Sequence, residues 1–145
     1  MREILFRGKT QDRTWVEGSY HQNLCGFHEI VTENKEKAFS VITYQVIPET
    51  VGQFTGLTDK NGNKIFEGDI VVTRYPEGDI CVIGDVQFDS GVFGVEWTNH
   101  KKSKSMVGSW WQNHNLRRFD DDIINHIEVI GNIHDNPELL EVNNE

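Results

Sequence analysis

Cysteine, proline and methionine are scarce in this 145-residue chain, at 2, 3 and 2 copies. Cys25 and Cys81 do not make the dense disulfide framework of a small secreted domain. The expectation is two free, buried thiols in a reducing cytoplasm. Three prolines leave strand interiors uninterrupted. No stretch approaches the roughly 18–20 apolar residues that a membrane-spanning helix needs. The start, Met1-Arg2-Glu3-Ile4-Leu5-Phe6, lacks an apolar run of signal-peptide length, so no membrane partner is expected. Cations are the minority charge: 14 Lys and Arg stand against 23 Asp and Glu, a net −9. That balance argues against a protein that wraps phosphates over a whole face. Enzyme signatures are also missing. There is no Gly-x-Ser-x-Gly, no phosphate-binding Gly-Lys-Ser/Thr loop, no His-Glu-x-x-His and no Cys-x-x-Cys. A non-catalytic protein without a cofactor is the expectation.

What is present is a globular composition, 37% hydrophobic and 26% charged, on a chain long enough for a real core. The apolar residues recur with period two rather than 3.6, which predicts strands. Residues 2–7 put Ile4 and Phe6 on one face. From Phe39 to Ile47, Ser40, Ile42, Tyr44 and Val46 alternate with Phe39, Val41, Thr43 and Gln45. Asp69–Tyr75 holds the β-branched run Ile70-Val71-Val72-Thr73. Ile80–Phe88 and Val92–Trp97 alternate in the same way. Residues 126–134 put Ile127, Val129 and Ile133 on one face, with His126, Glu128, Asn132 and His134 on the other. Turn residues separate these runs. They are Asp59-Lys60-Asn61-Gly62-Asn63-Lys64, Pro76-Glu77-Gly78-Asp79 and Asp89-Ser90-Gly91, each rich in residues that accept turn dihedrals cheaply. The rhythm predicts a mainly β protein, a small antiparallel barrel or sandwich with little helix. Short helical turns are expected at Asp120–Ile124 and at Pro137–Glu141, the latter capped by Asn136. A soft boundary at residues 48–52 divides an N-terminal β portion, 1–50, from a second portion, 51–145, unless the two form one intimate unit.

One block is more specific than composition. It runs Gln53-Phe54-Thr55-Gly56-Leu57-Thr58-Asp59-Lys60-Asn61-Gly62-Asn63-Lys64-Ile65-Phe66-Glu67-Gly68-Asp69-Ile70-Val71. Together with the opening Arg2-Glu3-Ile4-Leu5-Phe6-Arg7 and the close Glu128-Val129-Ile130-Gly131-Asn132-Ile133-His134-Asp135-Asn136-Pro137-Glu138-Leu139-Leu140, it resembles the YopX family of phage and prophage proteins. The resemblance runs from residue 2 to about residue 140 and is weakest over 98–122. It implies an SH3-like barrel after an N-terminal β portion, and a phage or prophage setting. It supplies no activity and no catalytic or binding residue. Within the block, Gly56, Asn61, Gly62, Glu67, Gly68 and Asp69 read as turn-makers. Gly supplies the bend before a strand, and Asp accepts hydrogen bonds from turn amides.

Further readings follow from the residues. Residues 101–118 carry five basic and no acidic residues, whereas 119–145 carry eight acidic and no Lys or Arg. Lys101, Lys102, Lys104, Trp110, Trp111, Arg117 and Arg118 therefore form the candidate nucleic-acid surface, since single-strand binders combine cations with aromatic platforms. The rival use of that segment is pairing with the acidic tail, within the chain or between copies. Self-association is the favoured partner reading, supported by Trp97, Trp110 and Trp111 lying close in sequence. A phage or host protein is the other partner class. The pair Glu67 and Asp69 is the basis of a metal-dependent-enzyme alternative. His21-x₃-Cys25-x₂-His28 has a superficial ligand spacing, but a structural zinc needs four ligands, so no metal is expected there.

Overall fold

The computed structural model describes residues 1–89, 91–99, 116–118 and 125–141, with backbone alone at 98, 99 and 116–118. The strands are β1 Phe6–Lys9, β2 Trp15–Gln22, β3 His28–Glu33, β4 Val41–Gln45, β5 Gly52–Thr58, β6 Lys64–Phe66, β7 Asp69–Arg74, β8 Ile80–Asp89, β9 Val92–Asn99, β10 Leu116–Arg118 and β11 Glu128–Asn132. Short 3-10 turns occupy Pro48–Thr50 and Pro137–Leu140. The chain is therefore mainly β with almost no helix. Its strands form two antiparallel sheets, ordered β4-β3-β2-β1-β5-β6 and β10-β9-β8-β7-β11. Among the described residues neither sheet closes into a barrel. Among the described residues no helix is long and apolar enough to cross a membrane. The chain divides into two compact units, Met1–Gly56 and Leu57–Glu145, the division falling inside β5.

In the first unit the register places Gly8 opposite Val16 and Tyr20 opposite Ile30 and, across β3, Tyr44. These residues share one face with Phe6, whose ring lies 5.4 Å from that of Tyr20. Ile30 and Val46 form the core, at 0% and 2% exposure. Gly8 packs closely there: a Cβ would meet Val46 at 3.1 Å and Ile30 at 3.2 Å, so those side chains would have to shift. The opposite face holds Trp15, with the Arg7 guanidinium 4.8 Å and the Lys9 ammonium 5.4 Å from its ring centroid. Both distances suit a cation–π contact.

In the second unit two clusters lie on opposite faces of one sheet. Ile65, Val71, Val86, Val95 and Ile127 make the first, with Trp97 and Val129 packed on it. Ile70, Val72 and Ile83 make the second, covered by Ile80, Ile130, Ile133 and Leu140. The run Ile70-Val71-Val72 is buried on both sides, which is why it shows no polar alternation.

Several local expectations are corrected. The first strand begins at Phe6, not Arg2, and Ile4 is 63% exposed. Cys25 is exposed at the β2–β3 turn and Cys81 is only partly buried; both are free. The alternation of residues 126–134 breaks at a bulge between Val129 and Gly131. An extra residue in one strand reverses the facing of everything after it. Val129 thus joins the first cluster, while Ile130 and Ile133 join the second. Residues 137–140 form a 3-10 turn, and Asn136 makes no capping bond with its side chain. The turn expected at Asp120–Ile124 lies outside the described residues.

Candidate functional site

The block at 53–71 holds, after β5, a turn built on one carboxylate. Asp59, 5% exposed, accepts hydrogen bonds at Oδ1 from the backbone N–H of Asn61 (2.9 Å) and Asn63 (2.8 Å). At Oδ2 it accepts from Asn63 Nδ2 (3.3 Å) and from the backbone N–H of Val129, seventy residues away in sequence, at 2.9 Å. Gly62 closes the turn at φ +83°. Lys60 N–H donates to the Ile127 carbonyl at 3.1 Å, a second tie between this turn and β11. Burial alone would raise the Asp59 pKa, but the Val129 and Asn63 amides outweigh it and hold the carboxyl below its ordinary value.

The rest of the block serves other connections. Gly68 has φ +89°. Its N–H donates to the Val86 carbonyl, and its carbonyl accepts from Ile133 N–H. Asp69 is 2% exposed and accepts the Phe66 N–H at Oδ2, 2.7 Å. Glu67 is half-buried on the same short segment. Gly56 takes φ +86° in β5. The structure thus uses Asp69 to close the β6–β7 connection.

Lys101, Lys102, Lys104, Trp110 and Trp111 lie outside the described residues. The backbone of Arg117 and Arg118 sits in β10, opposite Val95 and Gly94, on the outer edge of the five-stranded sheet. His21 and His28 are engaged separately. His21 Nε2 lies 3.1 Å from Glu29 Oε2. His28 Nδ1 shares a 2.5 Å hydrogen bond with the Tyr20 hydroxyl. Among the described residues no three His, Cys, Asp or Glu side chains are grouped as metal ligands.

A surface feature that motif reading missed is β4. It is the outermost strand of its sheet. Its outward residues Val41, Thr43 and Gln45 are exposed, and it holds neither a charged residue nor a proline. Just before it, Phe39 is wholly exposed at φ +58°. The alternation of 39–47 located the strand, but only the strand order shows that it lies at an edge.

A comparison with known families matches the description "YopX protein" over residues 5–141. The chain belongs to the YopX family. The match covers the turn at Asp59, β7 and β11, so both elements joined by Asp59, the β5–β6 turn and β11, are part of the YopX domain. Comparison with curated proteins gives no match. Among solved structures, the crystal structure of protein EF1440 from Enterococcus faecalis is similar, with a TM-score of 0.57 and 22% identity over 97% of this chain and 100% of that one. That likeness concerns the fold.

The YopX domain also carries an acidic pair on its five-stranded sheet. Asp85 and Glu96 are cross-strand partners. Gln87 Nε2 donates to both, at 3.0 Å to Asp85 Oδ2 and 2.6 Å to Glu96 Oε2. Burial, offset in part by the Gln87 bond and reinforced by the Glu96 charge, pushes the Asp85 pKa up. A carboxylate with a raised folded pKa favours the fold most at acid pH and loses that contribution as pH rises through the folded value. Asp85→Asn is therefore expected to stabilise the protein at pH 7 by about 0.5 kcal/mol, since like charges directly opposite are unfavourable. The gain should vanish in urea titrations run at a pH where Asp85 is protonated. An equal gain at both pH values would refute the like-charge account.

Proposed function

We propose that the protein is a non-catalytic binding or assembly module, encoded by a phage or prophage and working in the host cytoplasm, that self-associates through β4. The observation that carries this reading is that β4, Val41–Gln45, is an edge strand among the described residues. An edge strand presents unpaired N–H and C=O groups to any second strand, and natural proteins blunt such edges with charge, proline or a cover. β4 has neither charge nor proline, and Phe39 and Val41 add apolar area beside it, at 110% and 63% exposure. Pairing of β4 with β4 of a second copy would continue the sheet about a two-fold axis. Sedimentation velocity at micromolar concentration is expected to show a dimer, and Val41→Lys with Thr43→Lys a monomer. A monomeric unsubstituted protein at every salt concentration would refute this reading.

The charge segregation of residues 101–145 favours one other reading, nucleic-acid binding through Lys101, Lys102, Lys104, Trp110, Trp111, Arg117 and Arg118. Tryptophan fluorescence titrated with single- and double-stranded oligonucleotides separates the two. Binding that weakens steeply with salt, and falls when the three lysines become Ala, supports it.

A further inference from the structure

The second unit holds a cleft of about 510 Å³ between the β5–β6 turn, the β7–β8 turn and the residues that lead into β11. The volume lies within the range of small-ligand sites. Lys60, Arg74, Tyr75, Pro76, Asn125 and His126 are among its lining residues, and no acidic side chain lines it among the described residues. In a chain of net charge −9, two full cations and a histidine on one concave surface are a local reversal of sign. Clefts lined by one sign of charge concentrate ions of the other.

The cations are held from behind. Glu128 Oε2 accepts from Arg74 Nε at 3.0 Å and lies 3.5 Å from Lys60 Nζ. Arg74 Nη1 also donates to the Gly78 carbonyl at 3.0 Å. Two anchors at different nitrogens fix the plane of the guanidinium, and its Nη2 edge keeps donors for a ligand. A preoriented guanidinium fork matches the oxygens of a phosphate. The Arg74 bond holds the Glu128 carboxyl below its ordinary pKa, with burial opposing and the Lys60 charge assisting, so the anchor stays ionised at neutral pH. Among the described residues, one carboxylate against two cations leaves a net positive charge at the cleft. Tyr75 and Pro76 supply an apolar wall beside it. A bare phosphate would fill only a small part of this space.

We propose that this cleft binds a phosphate ester carrying a flat ring, a nucleotide unit, with Lys60 and Arg74 on the phosphate and Tyr75 and Pro76 against the ring. His126 adds a donor to the phosphate. The site is separate from β4, so it stands or falls independently of self-association. The phosphate and ring can come from a free mononucleotide or from one unit of a single strand.

Isothermal titration with the full chain distinguishes these sources, using inorganic phosphate, a mononucleotide and a single strand of roughly ten nucleotides as probes. The mononucleotide is expected to bind more tightly than inorganic phosphate, and salt is expected to weaken both. Lys60→Ala and Arg74→Gln are each expected to weaken mononucleotide binding by about tenfold, the loss expected of one charge-assisted contact. Tyr75→Leu should lower the preference for the mononucleotide over phosphate while leaving phosphate binding in place. Unchanged melting of each variant, followed by circular dichroism, establishes that the fold is kept. If only the strand binds, and the Lys60→Ala, Arg74→Gln double variant abolishes it, the ligand is a polymer unit. No binding of any probe at millimolar concentration overturns the proposal. So does equal affinity for phosphate and mononucleotide, or strand binding indifferent to the double variant.

Discussion

Asp59→Ala is expected to cost about 3 kcal/mol of stability, because it removes several part-buried charge-assisted hydrogen bonds at once, each among the more expensive kind to lose. The substitution would leave the N–H groups of Asn61, Asn63 and Val129 without their acceptor. The Val129 bond matters most. It ties the β5–β6 turn to β11, and beside it Ile127 contributes a fully buried side chain to the cluster of Ile65, Val71, Val86 and Val95. Asp59→Asn is the finer test. It keeps one acceptor oxygen but turns an NH₂ toward amides that need acceptors, so about 2 kcal/mol is expected. The pH dependence has a definite sign. The Asp59 pKa is lowered in the fold, so its contribution is complete above the unfolded carboxylate value near ~4 and is lost as pH falls through the folded value. The unsubstituted protein should lose stability in that acid window, and Asp59→Ala should lose less there. Urea denaturation across pH followed by circular dichroism checks both. Parallel acid profiles for the two proteins would remove Asp59 from the account.

Gly84→Ala should be nearly as damaging, at about 3 kcal/mol, the upper end of what overpacking costs. A Cβ at this position would lie 2.4 Å from the Glu96 carbonyl oxygen and 2.7 Å from Val95 Cγ1. The backbone oxygen belongs to the neighbouring strand β9, which is itself paired with β10. Relief therefore requires the β8–β9 ladder to open, not a rotamer to turn. Gly62→Ala is the matched control: it meets nothing within 4 Å but holds φ +83°. That change should cost about 1 kcal/mol, the strain of a left-handed residue with a side chain. Thermal melting should therefore rank the variants with Gly84→Ala well below Gly62→Ala. The reverse order would mean that close approach at Gly84 is not what requires glycine.

Much of the fold was legible because strand and turn signals are local. Asn61-Gly62 and Pro76–Asp79 are turns for reasons contained in the residues themselves, and the alternation of residues 41–45 shows a half-buried strand. Three features depart from the local pattern, two of them because their cause is distant. Ile4 and Phe6 alternate well, yet the ladder begins at Phe6, where Gly18 and Gln53 pair with it. A bulge in β11 splits Ile127 and Val129 from Ile133, and nothing in the composition of Ile130 signals the extra residue. Cys25 looks apolar enough for a core, but Asn23 turns the chain beneath it by accepting the Cys25 and Phe27 N–H groups.

The sites divide the same way. Gly68 and Asp69 could be read as a bend and its acceptor, since both roles lie within three residues of chain. The cleft could not, because Lys60, Arg74 and His126 are separated by long intervals and carry no motif. The amino-acid sequence by itself determined the mainly β class, the turn positions, the family and the segregation of charge. Each of these depends on neighbouring residues or on composition. Only the tertiary structure decided that β4 is an edge, that Asp59 holds β11, and that three distant basic side chains line one concavity. Strand order and register depend on which distant segments pair, and no local preference encodes that choice.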